Sequence, residues 1–391
     1  MQIIIHLRVF LGFYRRNCGT PTVFFAGSIF LWTKPAIGDK IYLIIAWKAS
    51  EVCVESVSFA VNAILPIVLL IFFGYFLRRV GFLNDEWFKK GNKLVFHVLL
   101  PCLLFVNVYN IESFSSFDWS VVIYSEIAVF VIFFLGLIAV KLLVPNDFQK
   151  GAVWQCVFRS NYAIIGMPLA AALGGDAGLS VAAVLSASSI PTFNILAVIA
   201  LTAFNKDENG KKANMLDVLK KIAKNPLIIG VASGMVAIAI RALIPEGSDG
   251  LPVFSLRGDL PFIFTAVENI AKISSPLALI VLGGQFDFAV IKHLKRQIIT
   301  GTLIRIVFVP LLCVGGAVVL SKYTRIINLD LSVYPALLAL FGSPVAVSSA
   351  VMAQEMDNDG VLAGQLVVWT SIFSIFTLFL FIVVLRRIGV L

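Results

Sequence analysis

Two short stretches carry the chemistry this chain can offer. One reads Arg159-Ser160-Asn161, followed by Gly166-Met167-Pro168; the other reads Gly342-Ser343-Pro344. Each Gly-x-Pro lies deep in an apolar segment. Proline cannot donate an intrahelical bond and clashes with the preceding turn, while glycine tolerates unusual backbone angles. Together they predict helices broken at Pro168 and Pro344, each proline opening the next half-helix. Ser343 is then placed as an N-cap. A half-helix N-terminus presents unbonded N–H groups and about half a positive charge, which is an anion site without any side-chain charge. The predicted solute contacts are therefore Asn161, Gly166, Met167, Gly342 and Ser343, with Asn194 as a further polar residue in mid-span. Arg159 is expected to offset charge or hold the break, since a charged residue inside a span is a functional candidate by default.

The elements that must position these residues are membrane helices. The chain has 391 residues, 59% hydrophobic and 14% charged. Mean hydropathy is +0.96. A soluble domain is about 45–50% apolar and about 25% charged, so a water-soluble enzyme is excluded. Long unbroken apolar runs exclude a β-barrel. Five Cys are too few for a disulfide scaffold. A span needs about 20 apolar residues. Ten windows qualify: 57–77, 92–110, 119–143, 151–174, 178–204, 225–244, 262–284, 297–320, 332–353 and 361–385. At about 1.5 Å per residue, Ser343 lies about 16 Å into its span, near the midplane. Trp87, Trp119, Trp154 and Trp369 fall near span ends, as an aromatic belt would have them.

The formal charge of +9 comes from basic residues in short loops, the positive-inside pattern and not a nucleic-acid stripe. Alternate loops holding Arg78, Lys89, Lys150, Lys206, Lys224 and Lys292 are expected to be cytoplasmic, which puts both ends of the ten-span core outside. Residues 1–55 read as an extension of unknown role, or the product of an upstream start codon. The first five spans occupy 56–204, a cytoplasmic loop 205–224, and the second five 225–391. An odd number of spans per half means that the second half enters from the opposite side, an inverted repeat. The expected fold is thus an all-α polytopic membrane protein of ten helices, with broken helices four and nine crossing at the midplane.

Over about Ser56 to Leu391 the chain resembles the auxin efflux carrier family of membrane transport proteins, whose bacterial members include malate and malonate permeases. The resemblance is carried by Leu65-Pro66 through Gly74-Tyr75, Asn92-Lys93-Leu94-Val95-Phe96 with Leu100-Pro101, Arg159-Ser160-Asn161, Gly166-Met167-Pro168, Ile190-Pro191-Thr192-Phe193-Asn194, Lys224-Asn225-Pro226-Leu227, Ser275-Pro276-Leu277-Ala278-Leu279, and Arg305 with Pro310. It implies ten spans in two inverted repeats, a scaffold part and a transporter part that move against each other, and a homodimer. It also implies that Asn161 and Asn194 contact a solute carboxylate, as asparagines do in plant carriers. Span nine departs from that pattern, offering Ser343 and no Asn, and the long cytoplasmic loop of many plant carriers is lacking.

These features together lead to the expectation of a secondary transporter of small organic anions, mono- or dicarboxylates, in the cell (inner) membrane. Its expected partners are the solute, the lipid bilayer and a second copy, with no nucleic acid, metal or cofactor. A sodium-coupled carrier of the bile-acid or antiporter type, and a sensor of the same fold that moves no solute, remain the alternatives. An intramembrane enzyme would need paired Asp, a Ser–His set or His-Glu-x-x-His. Asp357-Asn358-Asp359-Gly360 lacks the later ligands of a calcium loop and reads as a solvated turn.

Overall fold

A computed structural model describes residues 62, 64–110, 119–204, 220, 222–244 and 254–391. The N-terminal extension 1–55 and almost all of the loop 205–224 lie outside the described residues. Where described, the chain is helical, and its only β pairing is a single antiparallel bridge between Ser160 and Val345.

Helix α1 covers 64–79, α2 Asp85–Tyr109, α3 Trp119–Leu143, α4 Asp147–Phe158 and α5 Tyr162–Thr202. These are followed by α6 Pro226–Leu243, the single turn α7 Leu256–Asp259, α8 Pro261–Gln285, α9 Ile291–Tyr323, α10 Val333–Gly342, α11 Ser348–Glu355 and α12 Gly360–Arg387. Six of them (α2, α3, α5, α8, α9 and α12) are long and apolar enough to cross a membrane by themselves. Asparagine caps set several starts: Asn84, Asn146 and Asn225 each accept a backbone N–H from the first turn of α2, α4 and α6.

Within α5, Gly175 adopts φ +60 and ψ −147, a conformation open to glycine, and divides the helix into arms 162–174 and 176–202. The two arms coincide with the end of predicted span four and with span five. Prolines leave a different mark. Leu100, Met167 and Val309 each donate to a carbonyl five residues back, and each precedes a proline: Pro101, Pro168 and Pro310. The extra residue in that π-type turn relieves the clash between the ring and the turn before it.

The helices pack chiefly in two groups. One is α1, α2, α6 and α8; the other is α3, α4, α5, α9, α10, α11 and α12. The first group closes by backbone contact: a Cβ on Gly283 would lie 1.9 Å from the Ile71 carbonyl oxygen, and one on Gly74 would lie 2.0 Å from that of Ile280. The second group surrounds a core in which α10 is buried at every position. Apolar side chains such as Phe72, Phe134, Leu312 and Phe376 face outward, as lipid contact requires of a spanning helix. Trp154 differs from the belt expectation: it is buried, stacks on Phe133 at 4.5 Å and donates its indole N–H to the Phe133 carbonyl.

Candidate functional site

The site forms where two helices stop. Helix α4 ends at Phe158, and Arg159-Ser160-Asn161 runs on as non-helical chain before α5 begins. Helix α10 ends at Gly342, and Ser343 to Val347 runs on before α11 begins. The two interruptions touch. The Asn161 N–H donates to the Pro344 carbonyl at 2.8 Å, beside the Ser160–Val345 bridge. Freed backbone groups in an apolar setting must find partners, and here each break supplies some to the other. Val345 also donates its N–H to the Thr370 hydroxyl of α12 at 3.3 Å.

The break in span nine lies at the expected Gly342-Ser343-Pro344. The break in span four does not lie at Gly166-Met167-Pro168 but upstream of it. The π-type turn Tyr162–Gly166 absorbs Pro168, so the helix runs through it. A Cβ on Gly166 would sit 3.0 Å from the Ala339 carbonyl oxygen, so this glycine lets α5 and α10 approach closely. Met167 lies within the continuous helix, its N–H bonded to the Tyr162 carbonyl. Ser343 is not an N-cap: it ends α10, and its hydroxyl donates to the Ala339 carbonyl at 2.6 Å. Pro344 likewise belongs to the connecting strand, since α11 starts only at Ser348.

Two arginines organise the crossing, and both are buried. Arg305, from α9, gathers the carbonyl ends of both broken helices. Its Nη1 donates to Val157 and Phe158 at 3.3 and 3.4 Å, and its Nη2 to Leu340 and Ser343 at 3.3 and 2.7 Å. Its Nε donates to Ser343 as well, at 3.0 Å. A helix C-terminus carries about half a negative charge, so a cation shared by two of them is well matched. Sequence reading singled out Arg305 only as part of a family segment. The available signal was a lone arginine inside an apolar span.

Arg159 faces the opposite ends. Its Nη2 donates to the Asn194 side-chain oxygen and to the Ser348 hydroxyl, each at 2.8 Å, and its Nη1 donates to Met352 Sδ at 2.5 Å and to Gln155 Oε1 at 3.5 Å. Gln155 in turn donates to the Ser349 carbonyl at 2.9 Å. Every partner of Arg159 is neutral. Among the described residues no carboxylate pairs with either arginine. Next to Arg159 in the chain, the Ser160 hydroxyl and the Asn161 side-chain NH₂, and next to Ser348 the Ser349 hydroxyl, are buried without a hydrogen-bond partner in the protein.

Of the predicted site residues, Arg159 and Asn194 thus come together with Ser348, the first residue of α11, and Asn161 lies just before α5, whereas Gly342 and Ser343 stand on the carbonyl side with Arg305. Among the described residues no three His, Cys, Asp or Glu side chains converge as metal ligands would. The turn at Asp357-Asn358-Asp359, expected from sequence to be solvated, is so only in part: Asn358 is buried and donates to the Leu201 carbonyl at 2.6 Å, because it fills the space against Gly151. Glu268 and Lys272, four residues apart on α8, form an ion pair at 3.3 Å.

Residues 59–382 match the family described as membrane transport protein. An uncharacterized transporter of Methanothermobacter thermautotrophicus is 23% identical over 83% of this chain and 98% of its own length. Uncharacterized transporter YfdV of Escherichia coli K12 is 24% identical over 66% of this chain and 79% of its own. Uncharacterized transporter MJ1031 of Methanocaldococcus jannaschii is 23% identical over 80% and 95%.

Proposed function

Since the chain belongs to the membrane transport protein family, we propose that it is a secondary carrier of small organic anions, mono- or dicarboxylates of the malate or malonate kind, working by alternating access around the helix crossing. One observation carries this reading: buried Arg159 has only neutral partners, beside the buried, unpartnered Ser160 hydroxyl, Asn161 NH₂ and Ser349 hydroxyl. An unmatched buried cation is costly, and so are buried donors without acceptors. A carboxylate seated among them answers both demands, accepting from Arg159 and Asn161 at the start of α5 and α11.

In this mechanism Asn194 holds the guanidinium in place, and Arg305 fixes the carbonyl ends so that the crossing keeps its shape while the carrier opens to either side. Gly342 and Ser343 act through that frame, and Gly166 and Met167 through the close packing of α5 on α10. The ten windows make two inverted repeats, with α4 plus the first arm of α5 as span four and α10 plus α11 as span nine. The group α1, α2, α6 and α8 serves as the scaffold and dimer face. The protein resides in the inner membrane with the ends of its core outside.

Flux into proteoliposomes tests the reading. Uptake of labelled malonate or malate is expected with wild-type protein and to fall ~5–10-fold with Asn161→Ala, the loss of about one hydrogen bond. Unchanged flux in Asn161→Ala and in Arg159→Gln contradicts it.

A further inference from the structure

We infer that this protein is an exchanger of divalent anions, because its crossing holds about two positive charges that only a bound solute offsets. The inference rests on the organic-anion reading above and adds to it the charge of the solute and the mode of transport.

The reasoning is a charge count. Four helix ends meet at the crossing, each carrying about half an elementary charge. The C-terminal ends of α4 and α10 contribute about −1 together, and Arg305 bonds to both of them, cancelling that charge. The N-terminal ends of α5 and α11 contribute about +1, and Arg159 adds a further unit at the same place. Arg159 is bonded to the hydroxyl of Ser348, the first residue of α11. A cation at a helix N-terminus is set against the dipole, the reverse of the favourable placement of Arg305. Buried Asn161 NH₂ and the Ser160 and Ser349 hydroxyls, none with a partner in the protein, point independently to an acceptor-rich ligand here. The sum near the amide ends is about +2, and a dicarboxylate matches it where a monocarboxylate leaves about half unmatched.

Mode of transport follows from the same imbalance. In either open state, water and mobile anions solvate the excess charge. To change sides the carrier must pass through a closed state in which that solvation is stripped away, and an unpaired charge in a low-dielectric interior is strongly disfavoured. The empty carrier therefore changes sides slowly. The carrier loaded with a dianion is locally neutral and changes sides readily. Such a protein exchanges a solute on one side for a solute on the other and performs net transport poorly.

The test compares two rates for wild-type protein in proteoliposomes, with labelled malonate outside. In one set the vesicles contain unlabelled malonate, and in the other only a zwitterionic buffer. The expected initial rate with internal malonate exceeds the rate without it at least ~10-fold, equivalent to ~1.4 kcal/mol in the barrier for empty return. Exchange of malonate is likewise expected to exceed exchange of labelled acetate at least ~10-fold under the same conditions. Equal rates with and without internal malonate, or acetate exchanged as fast as malonate, overturn the inference while leaving the anion-carrier reading in place. Absence of uptake of any carboxylate in either set overturns both.

Discussion

Two arginines lie at one crossing and do opposite things. Arg305 sits on the carbonyl ends of α4 and α10, and every one of its N–H groups finds a backbone oxygen of a broken helix. Arg159, three residues before α5, bonds to Ser348 at the amide end of α11 and to Gln155, Asn194 and Met352. The same side chain, equally buried, completes the protein in one place and leaves it incomplete in the other. Burial of a charge is thus no guide to its role; the sign of the helix ends around it is. A cation at C-termini is structural cement, and a cation at N-termini calls for an anion from outside the chain.

Arg305→Met should break the first half of this contrast and have the largest effect. It strands four buried carbonyls, and removing one partner of a buried charged network costs about 3–5 kcal/mol. The expected outcome is a markedly lower melting temperature in detergent, with or without solute. Arg305→Lys should recover only part of that stability, because an ammonium group cannot fork across two helix ends.

Arg159→Gln should do the reverse. Binding of dicarboxylate is expected to weaken ~10–100-fold, the worth of a charged hydrogen bond at about 1.5–3 kcal/mol. The melting temperature without solute should stay or rise, since an unmatched buried charge is removed. If this variant instead melts as low as Arg305→Met, the two arginines share a structural role and the contrast is lost. Asn161→Ala is expected to sharpen the picture at a smaller scale. Its NH₂ group has no partner in the protein, so the folded state should lose under ~1 kcal/mol while solute affinity falls ~5–10-fold. Asn194→Ala should fall below that, acting only through the position of Arg159, with a rise in KM as its readout.

The helical architecture and the interruption at Gly342-Ser343-Pro344 are legible in the sequence because they depend on local rules: apolar windows of spanning length, and a Gly-x-Pro within one of them. The break in span four is different. Gly166-Met167-Pro168 has the same Gly-x-Pro pattern as its counterpart, yet the helix continues by taking up one extra residue in the turn before Pro168. The chain instead departs from helix at Arg159-Ser160-Asn161, which contains neither Gly nor Pro. Tertiary bonds make that departure possible: Asn161 to Pro344, and Val157 and Phe158 to Arg305. None of these is a local property, so no inspection of span four alone reveals them. Ser343 likewise reads as a cap for the helix after it because its type suits that role, but its bond runs backwards to Ala339. Arg159 and Asn161 stood out because charge and amide are rare in spans. Arg305 is as rare, but its meaning depends on which helix ends it meets.

The most direct measurement is calorimetric titration of malonate into the purified wild-type protein and into Arg159→Gln, with folding checked by melting curves. Saturable binding to the wild type, and binding ~10–100-fold weaker to a fully folded Arg159→Gln, is the expected result. Equal affinity in the two proteins would mean that the solute, if it binds, binds somewhere other than the amide ends of the crossed helices.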